Sequence, residues 1–446
     1  MSVSFQRLTR RASDSVRSLC QEMFRRIIGP GVAALAACCV ITALYAPVSA
    51  SANSVQGSQN TQPVVQTNSH TPQSISSVEN ATVDVCSAAC SPVAVGPEIV
   101  VTAVGDVMLG TTFPDESTLP PSDGAGLLSE VTPFLKRGDV VYGNLEGPLV
   151  DGGDSAKCHG KKEGTCFAFR VPTRYSKYLK EAGFTAMGLA NNHAMDFGQE
   201  GRTSSRTALE AVQIAHTGEL GDIARLTVKG RKIDVIAFAT YPGAYNFLDL
   251  DESLDTIRTA RAESDLVIVG FHGGAEGATH QHVLQGDETF LGEDRGDLRK
   301  FTHAAVDAGA DLVLGSGPHV VRAMEVYKGK LIAYSLGNFA TYGPFNLSAE
   351  NGLSLVLEAH LAGDGTFLGG RVYPVRQEKP GGPKLDPAAR ILSVLRTLSN
   401  ADFGPSAVVV GPQGELGLPG TMIPPCSNAP DLLEQPLNQR PCGIFP

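Results

Sequence analysis

From Glu98 onward the chain alternates short apolar runs with polar stretches of helical period. Ile99–Val104 is rich in β-branched residues and predicts a strand that ends on Gly105 and Asp106. Similar runs at Asp139–Tyr142, Phe184–Leu189, Asp265–Gly270 and Asp311–Leu314 predict further buried strands, each leaving through glycine or asparagine. Helices are expected around Leu127–Lys136, Thr173–Ala182, Ser204–Val212, Glu252–Ala262 and 295–308. Residues 224–240 predict a hairpin turning at Lys229 and Gly230, and Val320–Tyr327 pairs with Leu331–Tyr334 around Lys328 and Gly329. Strands near Leu353–Leu361 and Thr366–Pro374 close a domain placed at residues 98–376. Residues 377–446 form a Pro- and Gly-rich extension with a short helix at 387–398. Strands and helices in this order predict a layered α/β fold.

The first 97 residues have a different pattern. Residues 1–52 carry a basic leader, from Arg7 to Arg26, and then the uncharged apolar stretch Ile27–Val48. This is a signal peptide or a membrane anchor, and Leu35–Cys38 resembles a lipidation site. Every one of these readings places the bulk of the chain outside the cytoplasm. Residues 53–97 are rich in Ser, Gln and Thr without helical period and read as a disordered linker.

Composition narrows the picture. A net charge of −10 over 446 residues offers no bulk basicity for nucleic acid. Beyond the leader stand six cysteines: Cys86, Cys90, Cys158, Cys166, Cys426 and Cys442. An even number in an exported chain suggests disulfides, with the close pairs 86/90, 158/166 and 426/442 as the simplest arrangement, though six cysteines allow 15 connectivities.

The predicted strands share one feature. Each runs into a residue able to hold a metal or a proton: Asp106, Glu146, Asn192 with His193, His272 and His319. In layered α/β sheets the carboxyl ends of strands share an edge, so residues distant in sequence can converge there. Carboxylates, imidazoles and an amide oxygen together suit divalent Mn, Fe, Zn or Mg, as one ion or two. The pair His193 and Asp196 has the character of a proton donor and its orienter. No GxSxG nucleophile motif is present. Ser335 and Asn338 belong either to the rim of such a site or to a buried strand end. The loop 157–162 is locally basic and is either solvated or a contact for a polyanion.

Six motifs that carry these residues occur in order: Gly105-Asp106, Asn144-Leu145-Glu146, Asn191-Asn192-His193 with Asp196, Phe271-His272 with Glu276, Gly315 to His319, and Tyr334 to Phe339. Together they resemble the bacterial capsule-synthesis CapA family, associated with poly-γ-glutamate production and with a calcineurin-like metallophosphoesterase fold. The resemblance covers about residues 98–376. It implies a four-layer α/β/β/α sandwich with the site at one end of paired sheets. It also implies metal ligands at Asp106, Glu146, Asn192, His272 and His319 and a proton donor at His193; Glu276, Ser335 and Asn338 are the candidate substrate contacts. The implied partners are a polymer synthase or exporter in the membrane and an anionic polymer. The chain departs from the wider superfamily at Met108 and Gly317, where imidazoles would stand, and at Gly273, where an aromatic is usual. Fewer ligands imply weaker or single-ion binding, and leave a non-catalytic assembly factor as the alternative.

Overall fold

The computed structural model describes residues 96–161 and 166–422. Two sheets stack face to face. The first holds the parallel strands Ile99–Met108, Val140–Leu145, Ala186–Gly188 and Ala215–Thr217, followed on the far side of Ile99–Met108 by antiparallel Leu353–Leu361 and Phe367–Arg376. The second centres on parallel Arg231–Ala239, Leu266–His272, Leu312–Ser316 and Lys330–Ala333.

The layers follow from which side chains meet. Val101, Val140, Val235, Ile268, Leu312 and Leu331 form one core between the sheets. On the outer face of the first sheet, Leu135, Leu179 and Leu209 come from the helices Thr132–Leu135, Ser176–Ala182 and Gly198–Ala211. On the outer face of the second, Ile257, Phe301 and Ala305 come from Leu250–Glu263 and Leu298–Ala308. This is the expected α/β/β/α sandwich. Strands covered on both faces are largely apolar, which is why Ile99–Met108 and Leu266–His272 read as nearly continuous apolar runs, broken by Thr102 and Asp106 in the first and closed by His272 in the second. The two outer helices start where Asp249 and Asp297 accept from the backbone N–H groups of Glu252 and Lys300.

Several expectations shift. The helix placed at 127–136 is helical only over Thr132–Leu135, because Gly124 and Gly126 hold the preceding residues in turns at positive φ. The helix expected from 295 starts at Leu298, and Glu293–Gly296 instead pairs with Glu288–Phe290 as a hairpin. The boundary at residue 376 falls inside the folded unit. Lys384–Leu385 and Glu415–Gly417 both pair with Phe367–Arg376, and helix Arg390–Phe403 buries Ile391, Leu392 and Leu395 in the core between the sheets. Composition hid this, since the glycines and prolines sit in the turns while the helix carries the apolar face.

Cys158 and Cys166 form the expected disulfide. The other cysteine pairs, the leader and nearly all of the linker lie outside the described residues. Among the described residues no helix is long and apolar enough to cross a membrane.

Candidate metal centre

The strand ends of both sheets meet at one edge. Asp106 stands on the last turn of Ile99–Met108, flanked in register by Asn144 and Asn338 on the neighbouring strands. The ladder shifts register on both sides of Asp106, a bulge that re-aims the side chain. The approach is tight. A Cβ on Gly105 would lie 1.9 Å from the Gly337 carbonyl, whose oxygen accepts the Asp106 N–H at 2.9 Å. Only glycine fits there.

Around Asp106 gather Glu146, His272 and His319. Asp106, Glu146 and His319 can each offer a ligand atom within 4.8 Å of the others. His272 Nε2 lies 3.9 Å and His319 Nε2 3.5 Å from Glu146 Oε1. His319 Nδ1 faces Asp106 Oδ2 at 3.1 Å and Asn338 Oδ1 at 3.0 Å. Both are acceptors, so Nδ1 carries the proton and Nε2 turns to Glu146.

The decisive feature is a set of buried atoms without partners. Both carboxylate oxygens of Glu146, His272 Nε2 and Asn192 Oδ1 make no hydrogen bond. Buried polar atoms normally find a partner, and each orphan calls for an explanation. All four can act as lone-pair donors, and they belong to three of the five residues expected to bind a metal. The donor set fits a divalent cation. Charges agree. Burial, opposed by His319 and reinforced by Asp106, pushes the Glu146 carboxyl well above its ordinary range. Burial lowers the His319 imidazole, but Glu146 and Asp106 outweigh it and raise its pKa to about 10. Burial, helped by Arg295, drives His272 well down. Two carboxylates this close, with a cation favoured between them, is the electrostatic form of a metal site.

His193 and Asp196, the pair expected to handle a proton, sit on the turn after Ala186–Gly188. His193 Nδ1 donates to Asp196 Oδ2 at 2.7 Å, which leaves Nε2 for proton exchange. The ring stacks on Phe169, with centroids 4.2 Å apart. Burial lowers the His193 pKa, partly offset by Asp196.

Three residues make contacts at the site that the sequence reading did not assign. Asn144 Nδ2 donates to Asp106 Oδ1 at 2.9 Å and faces His272 Nδ1 at 3.2 Å, while its Oδ1 accepts from Asn191. It locks three motif residues together, and its only sequence signal is its place beside Glu146. Arg295, fully buried on the hairpin 288–296, holds Glu276 Oε1 at 2.8 Å and the Tyr241 hydroxyl at 3.0 Å. The third is Lys157, whose Nζ reaches Asp196 Oδ1 at 2.6 Å. The basic loop is thus joined to the site through this lysine.

Glu276 faces the cleft, with Oε2 4.0 Å from His319 Nε2. Asn338 lines the same cleft, but its amide is spent on His319, whose ring nitrogen and carbonyl it meets. Ser335 is corrected. Its hydroxyl is fully buried and donates to the Val320 carbonyl, so it closes a turn and does not reach substrate. The departures also gain a cause. Met108 is buried with its sulfur accepting from Gly110 N–H. Gly317 has φ +108° and a Cβ there would crowd the Gly273 backbone at 2.9 Å, so no side chain stands at that place.

Above these groups opens a cleft of about 590 Å³. Lys157, Lys161 and Arg295 line it with Phe169, Phe345 and the hairpin residues Phe290 and Leu291.

Residues 100–342 match the family described as bacterial capsule synthesis protein PGA_cap. The chain is similar to the capsule biosynthesis protein CapA of Bacillus anthracis, 28% identical over 292 residues, covering 61% of this chain and 66% of that one. It is 27% identical over 281 residues to the PGA biosynthesis protein CapA of Bacillus subtilis, covering 59% and 68%. A probable polyglutamine synthesis accessory protein of Mycobacterium tuberculosis is 27% identical over 233 residues, covering 45% and 55%. The chain spans about two thirds of the length of the two CapA relatives. Among solved structures, a Haemophilus influenzae NAD nucleotidase aligns at TM-score 0.34 and 10% identity, over 68% of this chain and 56% of that one. A yellow lupin purple acid phosphatase aligns at TM-score 0.33 and 9% identity, over 66% and 55%.

Proposed function

The chain belongs to the bacterial capsule synthesis family PGA_cap, and from that membership and the site we propose an extracytoplasmic, metal-dependent hydrolase or transferase that acts on a surface polymer of the poly-γ-glutamate type. It works beside a membrane-bound synthase or exporter, tethered or released by its N-terminal segment.

The observation that carries the reading is the unpartnered buried atoms of Glu146 and His272 beside Asp106 and His319, with the unpartnered Asn192 Oδ1 on a residue that lines the same cleft. Those five residues would hold a divalent ion, Mn, Fe, Zn or Mg, which when bound supplies Lewis acidity at the cleft floor. The chain's own groups do the rest. Lys161, exposed on the cleft wall, draws an anionic polymer in, while the buried Arg295 holds Glu276 in place. Phe169 and Phe345 wall off water on one side, their rings stacked 5.1 Å apart. His193, its tautomer fixed by Asp196, moves the proton at Nε2.

Elemental analysis of protein from Asn53 onward tests this. At least one equivalent of Mn, Fe or Zn in the wild type, absent from an Asp106→Ala/His272→Ala double variant, is the expected result. A wild type that stays metal-free after reloading would sink it.

Met108 and Gly317 support a second reading. Two positions where the family resemblance leads one to expect imidazoles carry none, which suits a non-catalytic assembly factor of the same polymer machinery. Under that reading, site variants still join the synthase and polymer is still made.

A further inference from the structure

The loop that follows Asp151 enters the site from outside both sheets. Lys157 Nζ donates to Asp196 Oδ1 at 2.6 Å and to the Asn192 carbonyl at 3.2 Å, and stands 3.3 Å from His193 Nδ1. At the other end of the same loop, the Phe169 N–H donates to Asp196 Oδ2 at 2.8 Å and the Phe169 ring stacks on His193. The Cys158–Cys166 disulfide lies between these two ends, one bond from Lys157. The Asn192–Asp196 turn is therefore gripped from two directions by one stapled loop.

Lys157 is a costly way to fill space. Its side chain is one third exposed, and a long flexible ammonium side chain surrenders much rotamer freedom to hold one position. An exposed lysine pair on its own contributes little. Here the carboxylate is fully buried and accepts three donors: Lys157, His193 and Phe169. Without the lysine, the buried Asp196 Oδ1 loses its hydrogen-bond partner. The turn that carries Asn192 and His193 then has reason to move.

We propose that Lys157 is a positioning residue of this site, seated on the Asn192–Asp196 turn by the Cys158–Cys166 disulfide, so that the site is fully formed only while the disulfide is closed. The metal readout below rests on the function proposed above; the exchange readout does not. Opening the bond takes two electrons. With a water-soluble phosphine as reductant, the phosphine becomes its oxide with oxygen from water, and the sulfurs leave as two thiols. Lys157 then keeps only its bonds to Asp196 and the Asn192 carbonyl, without the staple.

The test uses the protein from Asn53 onward and two measurements: Mn²⁺ affinity by calorimetry and hydrogen exchange of amides 191–197. Residues that orient metal ligands from behind typically alter metal affinity by about 10- to 100-fold. Lys157→Met is expected to weaken Mn²⁺ binding by roughly tenfold and to speed exchange in the turn, with the sheets unchanged. Lys157→Arg, which keeps a cation, restores most of both. Cys158→Ser/Cys166→Ser and the phosphine-reduced wild type move in the direction of Lys157→Met. Affinity and exchange at wild-type levels in Lys157→Met would overturn the proposal, as would failure of the arginine to restore either. If the wild type binds no Mn²⁺, the metal reading fails, and exchange alone decides: faster exchange in the turn upholds the clamp, and unchanged exchange overturns it.

Discussion

His319 shows how much one residue depends on its surroundings. Its backbone sits at φ +58° and its carbonyl accepts from both Asn338 and Asn351, so the ring is aimed by bonds to its own main chain. Burial lowers its pKa from the ordinary 6.5, yet Glu146 and Asp106 lift it to about 10. The metal-free folded protein thus holds this proton more tightly than the unfolded chain does. The resulting stability is complete below pH 6.5 and is lost as pH rises towards 10. Thermal melts of metal-free protein are expected to show Tm falling across that window, with a flatter profile in His319→Ala. An equal slope in the variant would contradict it. Asn144 is the quieter counterpart. Nothing in its own chemistry marks it as more than a turn residue, but its amide ties Asp106, His272 and Asn191 into one piece.

At the scale of elements, two pieces that look peripheral hold the site in place. The hairpin 288–296 is clamped to the loop after His272. Glu288 accepts from Ala275 N–H and from both Nη atoms of Arg322, and Gly274 N–H donates to the Arg295 carbonyl. This fixes Glu276 at the cleft. Helix Arg390–Phe403 plugs the gap between the sheets from the far side, with Leu395 fully buried in the inter-sheet core. Leu395→Ala removes packing that nothing else supplies and is expected to cost about 2–5 kcal/mol, read as a lower denaturation midpoint with an unchanged slope. A loss below about 1 kcal/mol would mean that the helix is not part of the cooperative unit.

At the scale of the molecule, the cleft is an open trough with cations on its walls and a carboxylate-rich floor. Under the proposed function, an anionic polymer would lie across the site, with its charges at the rim and the reacting bond at the floor. The net charge of −10 makes these local cations matter, since the protein's overall field repels such a polymer and only the rim attracts it. In a polymer-producing cell, His193→Ala is expected to keep the protein at its normal level and to lose most surface polymer. Polymer at wild-type yield would leave the assembly-factor reading in possession.

The sequence by itself determined the alternation of strands and helices, the layered class, the strand-end residues and the close cysteine pair. Each is written in local terms: apolar period, turn residues, and the residue types that follow each strand. Tertiary structure decided what those residues touch. That Ser335 faces the backbone while Asn144 faces the site depends on hydrogen bonds across strands. That Lys157 reaches Asp196, 39 residues away, depends on a loop folding back over the edge of the sheet. That residues beyond 376 belong to the domain depends on an open sheet edge and an inter-sheet gap that no local pattern records. Secondary structure follows from neighbours in sequence, whereas the chemistry of this site follows from neighbours in space.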